Sequence, residues 1–278
     1  DISVGYTDRL SKDFSINTRV NVTTTNNLVT QTNSDNSFVL YGGNYFNGQS
    51  QNVTAFEAGK APGYFFGFKT NGLFQTIDEI NKAPKQLGAR PGDIRFVDMN
   101  GDGQITDADK TEIGNPFPKF TLGWNLTLNY RNFDFNVFAF ASYGNDIYRA
   151  YERNANYTNK FRNILDRWTG PGSTNDAKNP RYSFTDDNNN ARASDRYIED
   201  GSFIKIKNIQ LGYTFRQPFL KRAGFKDIRI YAQVKNAYTF TRYSGFDPEI
   251  AGGIMNTGVD RGAYPQSRVW ALGLDFKL

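Results

Sequence analysis

The segment Asp98 to Asp109, DMNGDGQITDAD, sets oxygen-bearing side chains at alternate positions of a short loop. Asp98, Asn100 and Asp102 fall at positions one, three and five of an EF-hand-type loop, Gly103 at six, and Asp109 at twelve in place of the usual Glu. Ligands at alternate positions converge on one ion while the glycine takes the sharp turn. Gln104 is expected to add its backbone carbonyl, and Thr106 to reach the ion directly or through water. Ile105 is expected to tuck inward and pin the loop, with Asp107 pointing to solvent. An oxygen-only ligand set selects a hard cation, and several carboxylates in one short loop repel each other unless something neutralises them. The expectation is therefore a structural calcium at Asp98, Asn100, Asp102, Gln104 and Asp109. An Asx-rich turn without an ion would use the same residues. The flanks GDIRFV and TEIGNPFP are not helical, so a bound ion would clip a loop and not open a helix pair.

Little else in the chain suggests reaction chemistry. The 278 residues contain no His and no Cys, which removes the commonest general base, the usual zinc ligand, the Ser-His-Asp triad and any disulfide framework. Asp and Glu are plentiful, but no pair is singled out as a glycosidase acid and base. The net charge is +5, with Lys and Arg scattered among acids, so no basic stripe marks a nucleic-acid site. The chain is read as a non-enzyme.

The elements that must carry the loop are strands. Phe120, Leu122, Trp124, Leu126, Leu128 and Tyr130 alternate with Thr121, Gly123, Asn125, Thr127 and Asn129. After the two-residue turn Arg131-Asn132, Phe133, Phe135, Val137, Ala139 and Ala141 repeat the pattern, although Phe138 and Phe140 break the polar side. The same period recurs near Ile2–Tyr6, Phe14–Val22, Ile204–Phe215, Ile228–Phe240 and Trp270–Leu278, with a change of phase that predicts a bulge near Lys207-Asn208. No apolar run approaches the ~20 residues of a membrane helix. Long aromatic-rich hairpins of this kind are what the wall of a transmembrane β-barrel requires. The fold class expected is all-β: antiparallel strands of a large barrel. Leu122, Trp124, Leu126, Leu128, Phe133, Phe135, Val137, Ile228, Ile230, Leu272 and Leu274 should face lipid. Asn125, Thr127, Asn136, Gln233 and Lys235 should face the lumen.

Short connectors (9–13, 131–132, 217–224) alternate with long ones (about 29–118, 144–201 and 241–266). Barrels of the outer membrane keep short turns on the periplasmic side and long loops outside, and seven strands satisfy that parity. Within the long loops, Asp146 to Trp168 is expected to hold one or two short helices, Ser173 to Ser194 to be mobile, and Gly63 to Phe74 to form an extra hairpin. The chain opens in mid-pattern, which suggests the C-terminal part of a longer polypeptide whose strands form an open wall.

Three blocks carry a family resemblance: GKAPGYFFGFKTNGLFQTIDEI; PGDIRFVDMNGDGQITDADKTEIGNPFPKFTLGWNLTLNYRNFDFNVFAFASYGNDIY; and RYIEDGSFIKIKNIQLGYTF with the ending YPQSRVWALGLDFKL. In order and spacing they resemble the starch-utilisation (SusC-like) TonB-dependent outer-membrane transporters of the Bacteroidetes. The resemblance implies a barrel of about 22 strands with a plugged lumen, residues 1–278 supplying its C-terminal part and the plug lying upstream. It implies import of glycans or peptides driven through TonB, a SusD-like surface lipoprotein over the loops, insertion by the barrel assembly machinery, and contact with outer-membrane lipid. Gly273, Phe276 and Leu278 stand at the spacing of the C-terminal assembly signal of such barrels; an ordinary amphipathic last strand would look alike. A secreted, calcium-stabilised glycan-binding β-domain is the alternative, and detergent dependence separates the two.

Overall fold

The computed structural model describes residues 1–33, 37–41, 51–152, 160–218, 220, 224–250 and 252–277. In chain order the strands are β1 (Ile2–Asp8), β2 (Phe14–Thr23), β3 (Val39–Tyr41), β4 (Thr54–Phe56), β5 (Tyr64–Gly67) and β6 (Thr70–Leu73). A short α-helix, α1 (Ile77–Lys82), follows, then β7 (Ile94–Phe96), β8 (Thr111–Gly114), β9 (Phe120–Tyr130), β10 (Phe133–Tyr143) and β11 (Asp146–Arg149). The series ends with β12 (Ile198–Asp200), β13 (Phe203–Phe215), β14 (Asp227–Thr241), β15 (Val259–Asp260) and β16 (Val269–Lys277). No helix among the described residues is long and apolar enough to cross a membrane.

The long strands form one antiparallel sheet in the order β1-β2-β9-β10-β13-β14-β16. It does not close: β1 and β16 are its edges. Register converts the alternation of single strands into continuous rows. One row runs Tyr6, Thr18, Leu126, Val137, Ile209, Val234 and Trp270; the next runs Ile16, Leu128, Phe135, Leu211, Ala232 and Leu272. This face stays open, with Trp270 74% and Leu272 85% exposed. The opposite face carries Asn17, Thr127, Asn136, Gln210 and Gln233 in one row. Carboxamides link across it: Asn136 donates to Thr127 Oγ1 (3.0 Å), Asn208 to Asn136 Oδ1 (3.3 Å) and Gln233 to Asn208 Oδ1 (2.7 Å). The bulge lies where the phase change puts it: pairing on β13 skips Lys207 on both sides, and Asn236 answers it on β14 with φ +50°.

All three long connectors leave from the same end of this sheet, and the short turns share the other. There Arg131 (φ +54°) lets the β9–β10 turn close in two residues and donates its N–H to the Asp13 carbonyl (2.8 Å). The long connectors are not loose. They pack into a dome that holds most of the buried apolar side chains. One cluster joins Val53 and Phe65 from the first connector, Tyr148, Ala150, Ala193 and Tyr197 from the second, and Val259 from the third. Strand β11 pairs with β12 and, in parallel, with β15, so the second and third connectors share a small sheet.

Three expectations for the connectors need correction. Gly63 to Phe74 is not a hairpin: β5 pairs with β4 and β8, whereas β6 pairs with β7. Between them Phe68 N–H donates to the Ala193 carbonyl and Phe68 accepts from Asp195 N–H, so the chain crosses from one sheet to another. Asp146 to Trp168 begins not as helix but as strand β11, and its described residues then hold one short helix, of 3₁₀ type, at Arg162–Asp166; residues 153–159 lie outside the described residues. The Asn- and Asp-rich run expected to be mobile is packed into the dome over its last part, 188–194. Asn188 is fully buried, donating to the Ile94 carbonyl (3.2 Å) and to Asn190 Oδ1 (2.8 Å); Asn190 Oδ1 accepts from Ile94 N–H, and its amide donates to buried Asp93 (2.9 Å). Buried amides satisfy one another here, as polar groups removed from water must.

Candidate functional site

The 98–109 loop sits on the dome between β7 and β8. Its turn is built from its own side chains. Asp98 accepts from the N–H groups of Gly101 (2.7 Å) and Gly103 (2.8 Å), Asn100 Oδ1 from Asp102 N–H (2.9 Å), and Asp102 Oδ1 from Gln104 N–H (2.8 Å). Gly101 and Gly103 have φ of +76° and +80°, which side chains rarely allow. Ile105 packs against the cluster of Phe68, Leu73, Ile94 and Phe96, as its position in the pattern predicts. The loop is anchored to the chain after α1: Lys85 N–H donates to the Gly103 carbonyl (2.8 Å) and Ile105 N–H to the Lys85 carbonyl (2.9 Å).

Asp109 behaves differently from an exposed ligand. It is fully buried, and its carboxylate accepts from the N–H groups of Met99 (2.9 Å), Asn100 (3.4 Å) and Thr106 (2.7 Å). Burial pushes its pKa up, but these amide donors outweigh burial and hold it below the usual carboxylate value; the Asp98 carboxyl acts on it directly as well. Thr106, expected to approach an ion, instead caps the 3₁₀ turn Asp107–Asp109, accepting from Ala108 N–H. Asp107 faces solvent, paired with Lys110 (2.9 Å). Among the described residues, no three acidic, His or Cys side chains converge as a ready metal site. Asp98, Asn100 and Asp102 share one turn with Gln104, and Asp109 closes it from behind.

At the end of the sheet, Gly273 and Phe276 lie on opposite faces of β16, Phe276 beside Ile228 and against the ring of Phe225 (5.6 Å). Leu278 lies outside the described residues. The reason for glycine at 273 is visible: a Cβ there would come well within 3.0 Å of the Tyr231 ring.

No family model matches the chain. The TonB-dependent receptor P3 of Formosa agariphila is 30% identical over the whole chain, which spans 28% of that receptor. The TonB-dependent receptor SusC of Bacteroides thetaiotaomicron is 28% identical, again over the whole chain and 26% of its own length. The chain belongs to the TonB-dependent receptors. Among solved structures, the RagAB peptide transporter superposes with a TM-score of 0.74 at 19% identity, over 99% of this chain and 28% of its own. The seven-stranded sheet thus has the fold of a section of that transporter, an antiparallel wall that does not close within this chain. The relatives are receptors and transporters, not enzymes.

The fold brings out charged groups that sequence reading passed over. Lys205, on the polar face of β13, is 1% exposed and grips both oxygens of Asp247 (3.0 Å each) and Glu249 (2.9 Å) from the third connector. Lys207, in the bulge, takes the other Glu249 oxygen. Arg229 bridges Asp134 on β10 and Asp275 on β16. The available signal was a charge in the inward phase of a wall strand, which requires a partner.

Proposed function

We propose that this chain supplies wall and outer loops to an outer-membrane transporter that imports large nutrients, glycan or peptide, with energy delivered through TonB. One observation carries the reading: a sheet with one continuous apolar face left open, the other face polar and cross-linked, and every long connector gathered at one end. In lipid such a face is satisfied; in water it is an aggregation surface. The comparisons support the family, and the chain spans 28% of the first of these relatives, so energisation, cargo and partners belong to the proposal. In this reading the dome faces outward and is the surface on which a SusD-like lipoprotein seats, while the open edges are covered by the remaining strands, placed by the barrel assembly machinery. Gly273, Phe276 and Leu278 serve there as the C-terminal signal. No step of covalent catalysis is assigned. A secreted glycan-binding β-domain would cover the apolar face with a second sheet, and the described residues build none there.

The complete protein should fractionate with outer membranes and need detergent for extraction. Uptake of labelled oligosaccharide or oligopeptide should stop when the proton gradient is collapsed. Recovery as a soluble secreted protein would overturn the reading.

We propose further that the 98–109 loop takes up calcium as a structural clip, through Asp98, Asn100, Asp102, the Gln104 carbonyl and Asp109. The spacing supports it, as does the single turn shared by Asp98, Asn100 and Asp102 with the Asp109 carboxylate bonded to the amides behind it. Asp109 would keep its amide bonds while offering remaining lone pairs. Calcium titration followed by calorimetry should give one site that Asp102→Ala removes, with the wall unchanged. Equal binding by both proteins, or by neither, would dismiss the clip.

A further inference from the structure

The last strand is held by more than its ladder of backbone bonds. On the polar face, Tyr231 of β14 lies between Gly212 of β13 and Gly273 of β16 in register. A Cβ at Gly273 would fall well within 3.0 Å of the Tyr231 ring, so the ring occupies the space a side chain would need. One step along β14, Arg229 stands over the same ring at 4.8 Å from its centroid. Its guanidinium reaches across β13 to Asp134 on β10 (2.9 and 2.5 Å) and sideways to Asp275 on β16 (2.9 Å). The crossing passes over Gly212, where a Cβ would lie under 3.0 Å from both Asp134 and Arg229. Six residues therefore interlock four strands: β10, β13, β14 and β16.

We infer that this interlock sets the register of the terminal strand during assembly. The inference rests on reading the sheet as a barrel wall. Alternation alone does not choose the register: a slip of one residue inverts the faces, but a slip of two restores them. The apolar side of β16 (Trp270, Leu272, Leu274 and Phe276) is bulky throughout and tolerates a two-residue slip in either direction. The polar side does not. In the native register Arg229 opposes Asp275 and Tyr231 opposes Gly273. A slip of two one way sets Arg229 against Lys277, a like charge, and the Tyr231 ring against Asp275. The other way sets the ring against the Cβ of Ala271 and takes Asp275 away from Arg229. Both neighbouring registers are thus penalised on one face only, by sterics and by charge.

These 278 residues contain no cysteine, so engineered pairs can report register in outer membranes, in the complete protein with any cysteine outside this chain replaced. Ile230→Cys with Leu274→Cys marks the native pairing; Ala232→Cys with Leu274→Cys and Ile230→Cys with Leu272→Cys mark the two slips. With a short thiol cross-linker the native pair should dominate by about tenfold or more, as a register specified on one face should. Adding Gly273→Val with Asp275→Asn should cut that preference to about threefold or less, or lower the yield of folded, heat-modifiable barrel. Where yield falls, Tyr231→Ala added to Gly273→Val should restore it, because removing the ring removes the collision. Unchanged register and yield in the Gly273→Val, Asp275→Asn protein would overturn the inference, as would failure of Tyr231→Ala to rescue. Uptake by the unmodified protein is a separate readout, so failure of the transport reading is distinguishable from failure of the interlock.

Discussion

Asp109 shows how one side chain can shape a functional loop without being exposed to it. Its three amide donors come from both ends of the segment, Met99 and Asn100 on one side and Thr106 on the other. Asp109→Asn keeps the shape but replaces one acceptor oxygen by a donor facing those amides, at a cost of about 1–3 kcal/mol; faster hydrogen exchange at the Met99 and Thr106 amides should report it. The same carboxylate makes the loop acid-sensitive. Its folded pKa lies below the unfolded value, so its stabilisation is complete above the free Asp value of about 4 and is lost as pH falls through the lowered folded value. The protection of those amides, relative to the exchange of a free chain at the same pH, should be constant through neutral pH and fall only in strong acid. The Asp, Asn and Gly spacing and the inward Ile105 were legible in the sequence because a turn is a local object. The capping role of Thr106 was not, since a threonine at that position suits a ligand and a cap equally well.

The wall strands were readable for the same local reason. Period-two alternation survives in any window of a strand, and even the bulge at Lys207 announced itself as a shift of phase. The dome strands were not readable. They are two to four residues long and paired across large separations, as Tyr148 is with Val259, so no window contains their pattern. The run from Ser173 to Ser194 looked mobile because Asn and Asp compose solvated loops and buried amide networks alike. Two outcomes belong to this scale. Leu126→Arg places charge on the apolar face at about 2–4 kcal/mol near the midplane and should sharply reduce the heat-modifiable folded form, whereas Asn125→Arg, one residue away, should leave it near wild type. Lys205→Met leaves Asp247 without its cation and Glu249 with Lys207 alone, a loss of at most about 3–5 kcal/mol, the range for a broken buried pair; limited proteolysis should then cut the 241–266 connector first.

At the scale of the molecule, the sheet and the dome divide the physical work. The dome contains the hydrophobic core of an ordinary globular domain, drawn from all three long connectors, and holds the candidate cation loop in place. The sheet has no such core: its apolar side chains lie on one open face and its polar ones lock to each other on the opposite face. That arrangement is stable only where the open face meets hydrocarbon, and it is the central claim of the account. The direct measurement is lipid contact. Single cysteines at Leu126, Leu211 and Leu272, and at Thr127, Gln210 and Gln233, would be labelled with an environment-sensitive fluorophore in the complete protein, reconstituted in bilayers containing spin-labelled lipid. The first three should emit at short wavelength and be strongly quenched, and the second three should not. Equal quenching in the two sets, or quenching confined to the second, would contradict it.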